Sequence, residues 1–152
     1  LLNGVIDRNK RSIISYPDDI LTDNEIPRKT LEAHLENVKK GYQITLSYIP
    51  EVEYDFGVFE LGEDNVILGI KEKPKINLPT SAGPHIIEPS VYQLILDSID
   101  LAGEDTQDYE KIVQNQLIRD GEAMGFELPK ESWISVNTLK DLENAISRLS
   151  KL

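Results

Sequence analysis

Apolar and polar positions alternate with two different periods along this chain, and the switches between them mark out its elements. Leu1, Leu2, Val5 and Ile6 are spaced like the last turns of an amphipathic helix, with a polar loop from Asp7 to Lys10 after it. Ser12 to Tyr16 is β-branched-rich and reads as a short strand. Pro27 can open a helix with Leu31, Leu35 and Val38 on one face, stopped by Gly41. Tyr42, Ile44, Leu46 and Tyr48 alternate on one side of a strand that runs to Ile49, and Pro50 to Glu53 reads as an acidic loop. Val58 to Leu61 leads into Gly62-Glu63-Asp64-Asn65, and Val66, Ile67, Leu68 and Ile70 lead out, the pattern of a β-hairpin.

The second half repeats the alternation of element types without repeating sequence. Leu78 to Ser81 reads as a linker into a strand from Ala82 to Ile87. Pro89 opens a helix with Val91, Leu94 and Ile95 inward, and Asp97 to Asp105 reads as loop. Thr106 can cap a helix carrying Tyr109, Ile112, Val113 and Leu117, ended by Gly121. Ala123 to Leu128 and Trp133 to Val136 are strands. Thr138 with Asp141 has the spacing of a capping box, ahead of a helix with Leu139, Leu142, Ile146 and Leu149 on one face. Strands alternate with helices, so the predicted class is α/β, with a mixed sheet because of the hairpin.

Size and charge then narrow the function. A chain of 152 residues makes one domain (1–152) with a real core. Its net charge of −11 and lack of a basic run argue against a nucleic-acid partner. No apolar stretch approaches a membrane span and no signal peptide is visible. With no cysteine, disulfides and thiolate chemistry drop out, which fits a cytoplasmic protein. His34 reads as a partly buried surface histidine, and His85 lacks neighbours at metal-ligand spacing.

Candidate chemistry gathers around the hairpin. Glu72 and Lys73 stand side by side at a strand end, one able to accept hydrogen bonds from sugar hydroxyls and the other to meet a phosphate as a point charge. Pro74 fixes the exit direction. Ala82-Gly83 is small enough to let a ligand approach the backbone. Asp18-Asp19 follows the first strand, the usual place for a ligand in an open α/β sheet, although a turn with Asp capping the next segment is the plainer reading of that stretch.

Taken together and in this order, Gly57-Val58, the hairpin, Glu72-Lys73-Pro74, Ala82-Gly83 and Trp133-Ile134-Ser135-Val136-Asn137-Thr138 resemble the sugar-nucleotide pyrophosphorylase family. These nucleotidyltransferases join a sugar 1-phosphate to a nucleotide with release of pyrophosphate. The resemblance covers roughly Ile13 to Leu149 and implies a partial Rossmann-like mixed sheet flanked by helices. It implies Asp19 as a catalytic and Mg²⁺-binding carboxylate, Lys73 as a catalytic and phosphate-binding group, and Glu72 and Gly57 as sugar-binding residues. Ala82 and Gly83 correspond to the small-residue strand beside the substrate. Sugar 1-phosphate and a nucleoside triphosphate are the implied ligands, and a homo-oligomer is compatible with the pattern.

Four departures from the family pattern change the expectation. The Gly-rich nucleotide loop with its Arg is absent, so the chain is expected to be the C-terminal part of such a domain. Ser135 replaces the second metal-binding Asp, and a hydroxyl is a poor, uncharged Mg²⁺ ligand. Asp18 stands where a Gly is expected, and Asn137 replaces a later Gly. The expectation is a truncated or degenerate nucleotidyltransferase, inactive as this chain alone; the alternative is a non-catalytic regulatory or assembly module. Missing opening strands would leave a sheet edge unpaired, favouring self-association or a helix laid across it.

Overall fold

In a computed structural model, residues 7–100 and 108–150 are described. The expected opening helix turns and the Thr106 cap lie outside them. The mixed α/β class is borne out. A five-stranded sheet carries the fold, built from β1 (Ser12–Ile14), β3 (Ile44–Ile49), β8 (Thr80–Ser81), β9 (His85–Ile87) and β10 (Ala123–Glu127). Its order is β1-β9-β3-β10, with β8 pairing β3 further along. β9 runs antiparallel to both β1 and β3, and β10 runs parallel to β3, with Ala123 opposite Ile44 and Glu127 opposite Tyr48.

Three short ribbons extend from this sheet. β2 (Asp19–Leu21) pairs antiparallel with β11 (Trp133–Ser135), setting Asp19 opposite Ser135. β4 (Val52–Glu53) pairs with β7 (Lys75–Ile76), so the expected acidic loop at Pro50 to Glu53 ends as a strand. The hairpin forms as predicted from β5 (Val58–Leu61) and β6 (Ile67–Lys71), with a register irregularity between Glu60 and Leu61.

Helices cover both faces. α1 (Ile26–Val38) has Pro27 in its first turn and ends before Gly41, whose φ of +97° suits a residue without a Cβ. α2 (Ser90–Ser98) includes Asp97 and Ser98, which correct the expected loop start by two residues. A π-helical turn at Glu110–Gln114 runs into α3 (Asn115–Arg119). α4 (Leu139–Leu149) opens on the predicted capping box. Thr138 Oγ1 accepts from the Asp141 N–H, while an Asp141 carboxylate oxygen accepts from the Thr138 N–H.

The core has two parts. Ile44, Ile87, Val91, Val113 and Leu117 pack between the sheet and the second group of helices, joined by Leu94 and Ile95 as expected. Ile26, Ile49, Ala82 and Leu128 form the other cluster. Beyond Ile26, the packing between α1 and the sheet is polar. β3 turns Thr45 and Ser47, both fully buried, toward one face, and α1 buries Ile26, Thr30, His34 and Asn37. The predicted inward stripe of Leu31, Leu35 and Val38 is therefore displaced, and Leu35 is exposed. A polar strand face selects a polar helix face, because each buried donor needs an acceptor.

That requirement corrects the reading of His34. Its side chain is fully buried, and its hydrogen bonds form a directed chain. Asn37 Nδ2 donates to Thr45 Oγ1 at 3.1 Å, and the Thr45 hydroxyl donates to His34 Nδ1 at 2.9 Å. His34 Nε2–H then donates to Glu88 Oε1 at 2.9 Å, where Arg11 Nε also donates at 2.7 Å. Every member is satisfied with a neutral imidazole and an ionised carboxylate. Burial holds the His34 pKa below its usual value, against the pull of Glu88. Burial would raise that of Glu88, but hydrogen bonds from Arg11 and His34 bring it below the usual carboxylate range.

Candidate functional site

Asp19 sits where a turn becomes a strand. Tyr16 to Asp19 closes with the Asp19 N–H donating to the Tyr16 carbonyl at 3.2 Å, and β2 begins at Asp19 itself. The turn reading therefore holds for Pro17 and Asp18, while Asp19 is the first residue of β2, opposite Ser135 of β11. Opposite it, the cis Gly83–Pro84 peptide separates β8 from β9, so Ala82 and Gly83 lie between strands rather than opening one. The Leu78–Ser81 segment, predicted as a linker, pairs with β3 through Thr80 and Ser81.

These elements enclose a cavity of about 240 Å³ lined by Tyr16, Asp18, Asp19, Ser81, Ala82, Gly83, Trp133 and Ser135. The Asp19 carboxylate is held from both sides. Gly83 N–H donates to Oδ2 at 2.9 Å, and the Trp133 indole N–H donates to Oδ1 at 2.8 Å. The approach to Gly83 is so close that a Cβ there would stand 2.6 Å from Asp19 Oδ2. The small residue predicted for backbone access by a ligand thus gives that access to Asp19.

The cavity's surroundings carry further polar groups. The Tyr16 hydroxyl donates to the Glu110 carboxylate, and burial followed by this acceptor raises its pKa above the ordinary phenol value. His85 is buried edge-on to the Tyr16 ring, with centroids 5.7 Å apart, and its Nδ1 accepts the Ser47 N–H. Burial lowers its pKa, opposed by Asp19 and Glu110. Ser135 Oγ accepts from Asn137 Nδ2 at 2.7 Å.

Gly57, Glu72 and Lys73 do not line this cavity. The structure brings Gly57 and Glu72 together: a Cβ on Gly57 would lie 3.0 Å from Glu72 Oε2. Lys73 follows with φ of +44°, and Tyr54 N–H donates to the Pro74 carbonyl at 2.9 Å, closing the base of the hairpin. The sequence-predicted residues thus fall into two groups, Asp19 with Ala82, Gly83 and Ser135, and Gly57 with Glu72 and Lys73. Sequence reasoning missed Tyr16 as part of the cavity and gave Trp133 no task. The signal for Trp133 was its place two residues before Ser135, since alternate residues of a strand share a face.

No group of three or more His, Cys, Asp or Glu side chains among the described residues can by itself enclose a metal ion. The donors present still suit Mg²⁺ of one kind. That ion is commonly held by one or two carboxylates, with water and substrate phosphates completing its shell. Asp18 and Asp19 both line the cavity, and each oxygen of Asp19 has accepted only one protein hydrogen bond.

A mixed sheet flanked by helices, with a carboxylate-bearing cavity at strand ends, puts a candidate ligand site where open α/β sheets commonly hold one. The chain belongs to the nucleotidyl transferase family, whose model matches residues 2–151. No curated protein matches it. Among solved structures it is similar to a Bacillus anthracis protein described as a glucose-1-phosphate thymidylyltransferase. Identity is 21%, the TM-score is 0.59, and the match covers 92% of this chain and 55% of that one. The fold is thus of the nucleotidyltransferase type, and the chain spans about half the length of that relative.

Proposed function

We propose that this chain forms the sugar-phosphate half of a sugar-1-phosphate nucleotidyltransferase site, with Asp19 at its centre. The supporting observation is the cavity in which Gly83 N–H and Trp133 Nε1–H fix the Asp19 carboxylate. Pre-set orientation matters here because the reaction depends on positioning and charge neutralisation rather than on a covalent intermediate. Mg²⁺, held by Asp19 with help from Asp18, would neutralise charge on the reacting phosphates. From the hairpin base outside this cavity, Lys73 would meet the sugar phosphate and Glu72 the sugar hydroxyls, Gly57 keeping the space beside Glu72 open.

Ser135 favours a second reading, a non-catalytic nucleotidyltransferase-like module. It stands opposite Asp19 with no charge to offer a metal. Both readings predict that the 152-residue chain by itself releases no pyrophosphate from Mg²⁺, nucleoside triphosphates and sugar 1-phosphates. They part at binding. Calorimetric titration with glucose 1-phosphate and Mg²⁺ should give binding that Lys73→Ala weakens and that Asp19→Asn makes independent of Mg²⁺. Absence of binding across sugar 1-phosphates leaves the module reading. Among the described residues no helix is long and apolar enough to cross a membrane, and a cytoplasmic setting suits phosphorylated substrates.

A further inference from the structure

The β5–β6 ribbon gathers apolar residues on one side. Phe59 stands opposite Ile70, and Leu61 stands opposite Ile67. Alternate residues of a strand share a face, so Phe59 and Leu61 put both pairs on the same side. A Cβ on Gly57 would meet the side chains of Ile70 and Glu72, which sets Gly57 and Glu72 at the root of that face. The four apolar residues are 55% to 61% exposed. At about 200 Å² for a large apolar residue, they offer about 500 Å² of surface in one patch. A patch of that size is at the upper end of what a monomer shows, and such patches often have a use.

Charge is also ordered along the ribbon. The tip carries Glu63 and Asp64, and the root carries Lys71 and Lys73. Among the described residues, none of these four has an ion-pair partner. The ribbon thus has an acidic end, a basic end and an apolar face between them.

We propose that this face packs against the same face of a second copy of the chain, with the two ribbons antiparallel about a two-fold axis. Each acidic tip then falls on the other copy's basic root, and the symmetry makes that contact twice. A two-fold axis along the ribbon would instead set tip on tip and bring four carboxylates together. The pair would bury about 1,000 Å² over both copies, enough for a specific interface and typical of a weak, reversible one. Edge-to-edge pairing is disfavoured by the register irregularity beside Leu61, because a bulge twists an edge away from a partner strand. An anionic lipid surface would accept the apolar side chains but repel the tip carboxylates.

Sedimentation equilibrium of the full chain at physiological salt tests the proposal. It should show monomer and dimer with a dissociation constant of about 0.1 mM, the weak class that the area implies. Phe59→Lys should abolish the dimer. Phe59 is more than half exposed, so in a melt at low micromolar concentration, where the chain is monomeric, the variant should be as stable as the parent. Glu63→Lys and Lys71→Glu should each weaken the pair about tenfold, since each turns two exposed ion pairs repulsive. Lys71 is chosen over Lys73 because Lys73 is assigned to phosphate. The two variants mixed together should associate as tightly as the parent, because each tip then meets a root of opposite charge. The proposal is overturned if the chain stays monomeric at millimolar concentration, if Phe59→Lys associates like the parent, or if the mixture is no tighter than either variant alone. A monomer that binds phosphatidylserine vesicles through Phe59 would also overturn it and give the face to a lipid surface.

Discussion

The α1–sheet interface and the β5–β6 ribbon invert each other's chemistry. The first buries His34, Thr45, Asn37 and most of Glu88, and joins them in one hydrogen-bonded chain. The second exposes Phe59, Leu61, Ile67, Leu68 and Ile70 to at least half their area. Hydrophobicity therefore does not decide what is inside and outside in these two regions. What sorts these two regions is whether a residue's neighbours complete its bonding: the network of His34, Thr45, Asn37 and Glu88 is saturated, while the ribbon has two strands and no layer against either face among the described residues. A two-stranded ribbon is marginal alone, so it depends on its anchor at β4–β7.

Breaking the interior should have the largest effect. His34→Leu leaves Glu88 and Thr45 each short of a partner, and should cost about 2–4 kcal/mol, as for other broken buried networks. Urea denaturation measures it directly, and a loss below about 0.5 kcal/mol, the level of an ordinary surface change, would place the network among decorative contacts. Gly83→Ala comes next. Its Cβ meets an Asp19 oxygen at 2.6 Å, and the shift required should cost about 1–3 kcal/mol, typical of overpacking. The same denaturation series reads it, and Mg²⁺ titration of the variant should show weakened binding.

Acid should weaken the interior more gradually. His34 and Glu88 both have pKa values below those of the free groups, so the unfolded chain binds more protons as pH falls. Their contribution is complete above the ordinary histidine value. It declines as pH drops below about 6.5 and again as it passes below the ordinary carboxylate range toward the lowered Glu88 value. Thermal melts from pH 8 to pH 4 should show this decline, and His34→Gln should flatten its upper part. Smallest of all, Leu68→Lys on the ribbon should change stability by less than about 0.5 kcal/mol, as at other exposed positions. A large loss in the same melts would mean that something packs against the ribbon.

The same contrast explains what could be read from the chain. The hairpin, the Thr138–Asp141 cap and the α1 boundaries are set by local signals, namely turn residues, a capping side chain, Pro27 and Gly41, and each stands where its signal puts it. Which face of α1 is buried depends on Thr45 and Ser47, on a strand whose other face supplies the apolar core, and no helical period contains that information. α4 makes the same point. Leu139, Leu142, Ile146 and Leu149 do share a helix, but all are exposed, while the small Ala145 is the residue buried against its neighbours. At the site, Asp19 was visible as a carboxylate at a strand end. Its two donors were not, because a backbone N–H at Gly83 and an indole far along the chain leave no shared local pattern.

The parallel pairing of β3 with β10 has a consequence for biosynthesis. Tyr48 and its hydrogen-bonded partner Glu127 are 79 positions apart, and that strand pair closes one side of the sheet. During translation β3 must wait, one edge bare, until the ribosome has delivered β10. Nascent chains stalled before residue 123 should accordingly be sensitive to protease around Ile44 to Ile49, and those released after β10 resistant.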